Sequence, residues 1–198
     1  SGAYCVSVFS YFFESNAMTD ASEWVRRWSH LVPPGAPVLD LACGSGRHMQ
    51  WFAGRGHPVL GVDRSAEALQ SAAAHGEVLA CDLEAAPWPL QGREFGAVVV
   101  TNYLWRALLP RLVECVAPGG VLLYETFAQG NETVGRPANP DFLLAPGELL
   151  RACEGLRVVA YEEGYLEPPA RFVQRIAALR LPGGAAAKPR LRAEDGAR

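Results

Sequence analysis

Residues 38–46, Val-Leu-Asp-Leu-Ala-Cys-Gly-Ser-Gly, constrain this chain more than any other stretch. An apolar, β-forming run ends in a carboxylate and enters a turn of small residues. A helical pattern follows from about Arg47, so the order reads as strand, tight turn and helix. Small residues let a ligand approach the backbone closely, and a helix start leaves N–H groups without intrahelical partners. A carboxylate beside such groups suits a small molecule carrying hydroxyl and carboxylate groups.

The same arrangement recurs downstream. Pro58–Asp63 is a second short apolar strand ending in an acid, and Asp63 lies 23 residues past Asp40. That is close to the spacing of the acid that holds a ribose diol after a dinucleotide-binding turn. Ser65 can cap the alanine-rich helix expected over 66–74, which leaves Asp63 available for another role. A third strand, Glu77–Asp82, again ends in an acid. Asp40, Asp63 and Asp82 therefore fall at one edge, where open α/β sheets bind their ligands.

Phe95–Thr101 reads as a fourth strand, apolar on both faces and hence central, with Asn102 and Tyr103 leading off toward the same crevice. Leu104–Cys115 has a helical pattern that Pro110 should break or divide. Ala117-Pro118-Gly119-Gly120 is the turn into a fifth strand, Val121–Thr126.

The flanks are less informative. Residues 20–31 have helical spacing, with Thr19 or Asp20 as cap, and should pack on the sheet edge with Arg26 and Arg27 solvated. A helix is expected from Gly46 to Ala53, ended by Gly56. His48 sits one turn into it; a lone histidine there is more often structural than functional. His57 reads as an exposed turn residue. Residues 84–92 form a loop in which Trp88 either covers a ligand ring or fills the sheet edge. Residues 127–145 lack periodicity and leave the crevice end of strand five, so they read as a lid or substrate wall, anchored by Phe127, Phe142, Leu143 and Leu144. A short helix over 146–153 precedes two strands, 156–162 and 171–181. The first should be bulged near Gly155, and a hairpin-like connection over 163–170 joins them.

With 198 residues, 49% hydrophobic and 20% charged, the chain has room for one domain with a sizeable core. A net charge of −3 argues against a dominant nucleic-acid role. Lys188 is the only lysine, so nearly all the positive charge is arginine, the residue suited to carboxylate recognition where ordered. Cysteines 5, 43, 81, 115 and 153 form no CxxC pair, which fits a reducing, cytoplasmic setting. No apolar run reaches the length of a membrane span. Ser15-Asn16-Ala17-Met18 has the look of a tag scar before an initiator methionine, so 1–17 is read as an expression-tag remnant. The rival reading makes Cys5–Phe13 a native apolar strand or arm. Residues 18–182 form the domain, and 183–198 a flexible tail.

Taken together, these motifs resemble class I S-adenosylmethionine-dependent methyltransferases, and within them the small bacterial tellurite-resistance-like group, over roughly residues 20–181. Asp40-Leu-Ala42-Cys43-Gly44-Ser-Gly46 resembles the first motif, whose turn passes the methionyl part of the cofactor. By that resemblance Asp63, with Arg64 beside it, takes the ribose position, and Asp82 and Leu83 the adenine position. Asn102, Tyr103 and Leu104 line the cofactor, and Pro118-Gly119-Gly120 precedes strand five. The resemblance implies a Rossmann-like α/β fold with a seven-stranded, mostly parallel sheet, order 3-2-1-4-5-7-6 and strand seven antiparallel. The turn lacks a third glycine, as suits a cofactor without a pyrophosphate. Where many relatives carry an acid after the aromatic that opens strand four, this chain has Gly96, at the end far from the crevice.

The expected reaction is methyl transfer from S-adenosyl-L-methionine to a small-molecule acceptor, by a monomer or dimer needing no metal. Tyr103, His48, Tyr124 and Glu125 are the candidate bases, and Arg136 a candidate for binding an anionic substrate. Without an Asn-Pro-Pro-Tyr or Pro-Cys motif, DNA-base methylation is disfavoured. The rivals are a non-catalytic cofactor-binding or interaction module and a nicotinamide-dependent oxidoreductase.

Overall fold

A computed structural model describes residues 20–183 and residue 191. The segment read as a tag remnant lies outside the described residues, as does the tail apart from Gly183 and Leu191. Seven strands form one sheet in the order β3-β2-β1-β4-β5-β7-β6. Strands β1 (Val38–Leu41), β2 (Val59–Asp63), β3 (Glu77–Ala80), β4 (Phe95–Thr101) and β5 (Val116–Phe127) run parallel. β7 (Arg171–Leu179) lies antiparallel to β5 and to β6 (Arg157–Leu166). This is the order that the resemblance implied.

Every residue of β1 and β4 is buried, as near-continuous apolar strands in a parallel sheet require. Alternation then feeds two cores. Leu39, Val98, Val100, Leu122 and Ile176 join the core on one face, beneath α4 (Leu109–Glu114) and α5 (Glu148–Ala152). Val38, Val99, Leu123 and Ala177 join the other, beneath α1 (Glu23–Trp28), α2 (Arg47–Ala53) and α3 (Ala66–Ala72). β3, at the sheet edge, is only half-buried.

Several local expectations need correction. Helix α1 is capped by Ser22, whose hydroxyl accepts from Val25 N–H, rather than by Thr19 or Asp20. It packs across the sheet rather than at its edge, with Trp24 Nε1 donating to the Ile176 carbonyl of β7 at 3.1 Å. Arg27 is not simply solvated, because it pairs with Glu162 at 3.1 Å and stacks on Trp28. Half-buried His57 has its Nδ1 2.9 Å from the Ala36 carbonyl oxygen. The 104–115 run is divided as expected, into a 3-10 turn over Arg106–Leu108 and α4, with Pro110 in the first turn of α4, where a missing N–H needs no helical partner. Trp88 packs against the core. Pro118-Gly119-Gly120 lies within β5 as an irregularity that shifts the β4 register between Phe95 and Ala97. The final hairpin is tighter than expected, because β6 runs to Leu166, and its irregularity falls between Val158 and Ala160. Gly96 has a packing reason: a Cβ there would stand 2.3 Å from that of Ala36.

Candidate functional site

The turn after β1 folds back on itself through left-handed residues at alternate positions, with φ of 55° at Ala42, 54° at Gly44 and 88° at Gly46. Its neighbour β2 holds it down. Cys43 N–H donates to the Val62 carbonyl at 3.1 Å, and Gly44 N–H donates to Asp63 Oδ2 at 2.9 Å. The other oxygen, Oδ1, accepts from Ser65 N–H at 2.8 Å. Each carboxylate oxygen of Asp63 thus has one acceptor position taken and one left for a ligand hydroxyl.

Two glycines under the turn are steric necessities. A Cβ at Gly46 would lie 2.9 Å from Ala72 Cα, where α2 and α3 approach. One at Gly61 of β2 would lie 2.3 Å from Met49 Sδ and 2.8 Å from Cys43 Sγ. Gly44 differs, for a Cβ there would meet nothing within 4 Å. It faces open space at the mouth of the crevice.

Asp40 sits at the C-terminal end of β1 and is 1% exposed. Its Oδ2 is buried without a hydrogen-bond partner among the described residues. Burial raises its carboxyl to about 7, with Arg47 pulling the other way. His48 Nδ1 lies 3.9 Å from Asp40 Oδ1, while His48 Nε2 accepts from Ser22 N–H at 3.2 Å. Burial, then Arg47, lowers the imidazole to about 3. His48 is therefore a neutral ring that ties the start of α1 to α2.

At the other strand ends, exposed Asp82 accepts from Glu84 N–H at 3.0 Å, and Leu83 is buried beside it. Arg64 is exposed. Exposed Asn102 adopts φ 54° and donates its N–H to the Glu125 carbonyl at 3.0 Å, which fastens the end of β4 to β5. Tyr124 Oη donates to the Tyr103 carbonyl at 2.7 Å, whereas Tyr103 Oη is buried and has no partner among the described residues. Burial raises both phenols well above their ordinary value.

Buried Glu125 lies 4.0 Å from Arg175, across the β5–β7 ladder. Arg175 also pairs with Glu23 at 3.1 Å and Glu162 at 2.7 Å, and covers the Trp24 ring at 4.8 Å. The 127–145 segment contains two 3-10 turns, Asn131–Thr133 and Pro140–Phe142, and is braced throughout. Buried Asn131 donates to the Pro137 carbonyl at 2.9 Å and accepts from Phe172 N–H at 3.1 Å. Gln174 donates to the Ala145 carbonyl at 2.6 Å, and Arg106 donates to the carbonyls of Asp141 and Leu143, both at 2.8 Å. Leu143 and Leu144 are buried as expected of anchors. Arg136 is exposed on this segment.

Sequence reading missed two arginines. Half-buried Arg47, directly after the last glycine of the turn, lies within electrostatic range of Asp40, Glu125 and Arg171. Arg171 opens β7 on the same side as Arg175, because side chains two and four apart share a strand face. The one available signal was that alternation.

Residues 38–120 match a family described as a methyltransferase domain. The malonyl-[acyl-carrier protein] O-methyltransferase of Salmonella typhimurium is 38% identical over 104 residues, covering 48% of this chain and 41% of that protein. The trans-aconitate 2-methyltransferase of Paracidovorax citrulli is 36% identical over 123 residues, covering 56% and 45% respectively. The chain therefore spans less than half the length of these curated relatives. The crystal structure of TehB from Haemophilus influenzae superposes with a TM-score of 0.63 at 20% identity, covering 77% of this chain and 59% of that one. The Synechocystis magnesium protoporphyrin IX methyltransferase with bound S-adenosylhomocysteine gives a TM-score of 0.60 at 16% identity, covering 79% and 78%. The fold is thus that of the class I methyltransferases, tellurite-resistance-like structures among them. No helix among the described residues is long and apolar enough to cross a membrane.

Proposed function

We propose that this chain binds S-adenosylmethionine across the C-terminal ends of β1, β2 and β4 and transfers its methyl group to a small-molecule acceptor. The observation that carries this reading is Asp63, pinned by the N–H groups of Gly44 and Ser65 beside a turn that opens onto free space. The orphaned Asp40 Oδ2 fits a ligand with a hydrogen-bond donor, as the cofactor's ammonium group would be.

When bound, this cofactor supplies a methyl group activated on a sulfonium. Asp63 would hold the ribose hydroxyls on its free acceptor positions. Asp82 and Leu83 would border the adenine, and Asn102 and Tyr103 would line the crevice. Gly44 would let the backbone approach the methionyl part, while Gly46 lets the turn close onto Ala72 of α3, and Ala42 and Cys43 complete the turn. The protein's contribution is orientation and exclusion of water.

Proton abstraction finds little support among the described side chains. His48 is neutral and its Nε2 is occupied, Tyr124 spends its hydroxyl on a carbonyl, and Glu125 is paired with Arg175. Tyr103 is the remaining phenol, and burial works against its ionisation. An acceptor that arrives already nucleophilic fits this surrounding best. The free thiols of Cys43, Cys81, Cys115 and Cys153 support placing the protein in the cytoplasm.

Calorimetry with S-adenosylhomocysteine and with NAD tests the assignment. Saturable binding of the former alone is expected, and preference for NAD would overturn it. Release of S-adenosylhomocysteine with a screened acceptor then separates an enzyme from a binding module.

A further inference from the structure

We propose that Arg106 is a positioning residue that ties the donor-lining segment 102–104 to the 127–145 wall of the acceptor space, so that donor occupancy steadies that wall; this rests on the methyl-transfer reading above. Arg106 stands four positions after Asn102 and three after Tyr103. The chain between them has little freedom. Asn102 N–H is held by the Glu125 carbonyl at 3.0 Å, and the Tyr103 carbonyl accepts from Tyr124 Oη at 2.7 Å. Leu104 and Leu108 are buried in the core, and Leu108 N–H closes a 3-10 turn on the Trp105 carbonyl at 3.0 Å. A shift of Asn102 or Tyr103 on donor binding therefore reaches Arg106 through a stiff connection.

The Arg106 side chain crosses to the far end of the wall. Its Nη1 donates to the Asp141 carbonyl and its Nη2 to the Leu143 carbonyl, both at 2.8 Å. Nε and Nη2 form a two-pronged pair with Glu148, at 2.7 Å to Oε1 and 3.1 Å to Oε2. Four of the five N–H donors of the guanidinium are thus spent on this one stretch. Glu148 opens α5, and its Oε2 also accepts from Ala145 N–H at 2.8 Å, so the pair closes the segment onto the helix. Asn131 and Gln174 tie the wall to β7, whereas Arg106 ties it to the cofactor side.

Stability alone does not account for this arrangement. The Arg106 side chain is 43% exposed, and an ion pair so open to water adds little to folding. What the planar fork supplies is direction, because its bonds fix both the distance and the orientation of 141–148 against 102–106. A lysine would meet the charge of Glu148 without that geometry. Two of the contacts are to backbone carbonyls, so they tolerate changes in the side chains of the wall. Ordering of 102–106 around a bound donor leaves less entropy for the wall to lose, and such coupling is reciprocal.

The test is hydrogen exchange on the full chain, with and without saturating S-adenosylhomocysteine, in wild type, Arg106→Gln and Arg106→Lys. The reporters are the N–H groups of Phe142, Leu143 and Glu148, each held at 3.0 Å in a local turn. In the wild type the ligand should slow their exchange by about fivefold or more, the low end of ordinary coupling between sites. Arg106→Gln should bring that slowing below about twofold while protection at the Asp40–Gly46 turn persists, and Arg106→Lys should keep only part of it. Wild-type binding without slowing at the reporters, equal slowing in wild type and Arg106→Gln, or full slowing in Arg106→Lys would each overturn the proposal. So would loss of S-adenosylhomocysteine binding in Arg106→Gln, which would assign the residue to the donor site. Failure of Arg106→Gln to fold, or faster exchange throughout β1 and β4 without ligand, would make the residue structural and overturn it equally. Failure of the wild type to bind S-adenosylhomocysteine at all would instead sink the methyl-transfer reading itself.

Discussion

Asp40 Oδ1 and His48 Nδ1 face each other at 3.9 Å, where burial keeps the imidazole neutral and pushes the carboxyl up to about 7. The two groups have opposite linkage to folding. Asp40 rises from 3.8 to about 7, so the folded chain binds the extra proton between those values and loses that advantage as pH climbs. His48 falls from 6.5 to about 3, so its neutral burial favours folding at neutral pH and costs stability as pH drops. Between about pH 4 and 6.5 the two effects oppose and the wild-type stability contribution is flat.

Removing either member should expose the other. His48→Gln is expected to lose stability with rising pH across that window, by about 1.4 kcal/mol per pH unit. Asp40→Asn is expected to lose it with falling pH at a similar slope. Urea denaturation at several pH values checks both, and parallel profiles for wild type and variants would refute the opposed linkage.

The two glycines of the turn should separate folding from binding. Gly46→Ala places a methyl 2.9 Å from Ala72 Cα at φ 88°, and is expected to destabilise by about 2–4 kcal/mol. Gly44→Ala meets nothing within 4 Å, so only its positive φ is penalised, at about 1 kcal/mol. It should nevertheless abolish measurable S-adenosylhomocysteine binding, since its methyl enters the space proposed for the methionyl part. Thermal melts and calorimetry on both variants make the comparison.

Asp63→Asn should keep the turn in place, because the amide oxygen can still accept one of the two N–H groups. The proposed ribose contact is charge-assisted, worth about 1.5–3 kcal/mol. S-Adenosylhomocysteine affinity is therefore expected to fall by roughly one to two orders of magnitude, with a smaller change in melting temperature. Unchanged affinity would remove Asp63 from the proposed site.

Asn131→Ala strips the partners from Pro137 C=O and Phe172 N–H at a position 1% exposed. Leaving those groups buried and unsatisfied is expected to cost about 2–4 kcal/mol. Hydrogen exchange over 127–145 should accelerate while β1 and β4 stay protected. Uniform acceleration across the sheet would mean that the brace is not local.

The parallel half of the sheet was legible because burial on both faces leaves short, mostly apolar runs such as Phe95–Val100, and Val38–Leu41 interrupted only by Asp40. The acids at its strand ends were legible for the same reason, standing out where apolar runs stop. Pro110 marked the division of 104–115 because a residue that breaks a helix interior is welcome in the first turn of the part that follows. Ser22 was passed over as a cap because residues 19 and 20 are equally good formers, and only tertiary contact with His48 distinguishes them. The bracing of residues 127–145 was not legible, because Asn131 and Gln174 make these contacts only through the antiparallel return of β7.

That return has a consequence for how such a chain could change its substrate. Among the described residues, two buried amides brace the 127–145 segment, the proposed acceptor wall: Asn131, bonded to Phe172 of β7, and Gln174 of β7, bonded to Ala145. Both lie beyond the 38–120 segment that carries the family match. The wall and its fastening can therefore be rewritten together, as one cassette, without touching the turn at Asp40–Gly46. Under the proposed function, inheritance of the donor site and invention of a new acceptor site become separable events in the history of a single sheet.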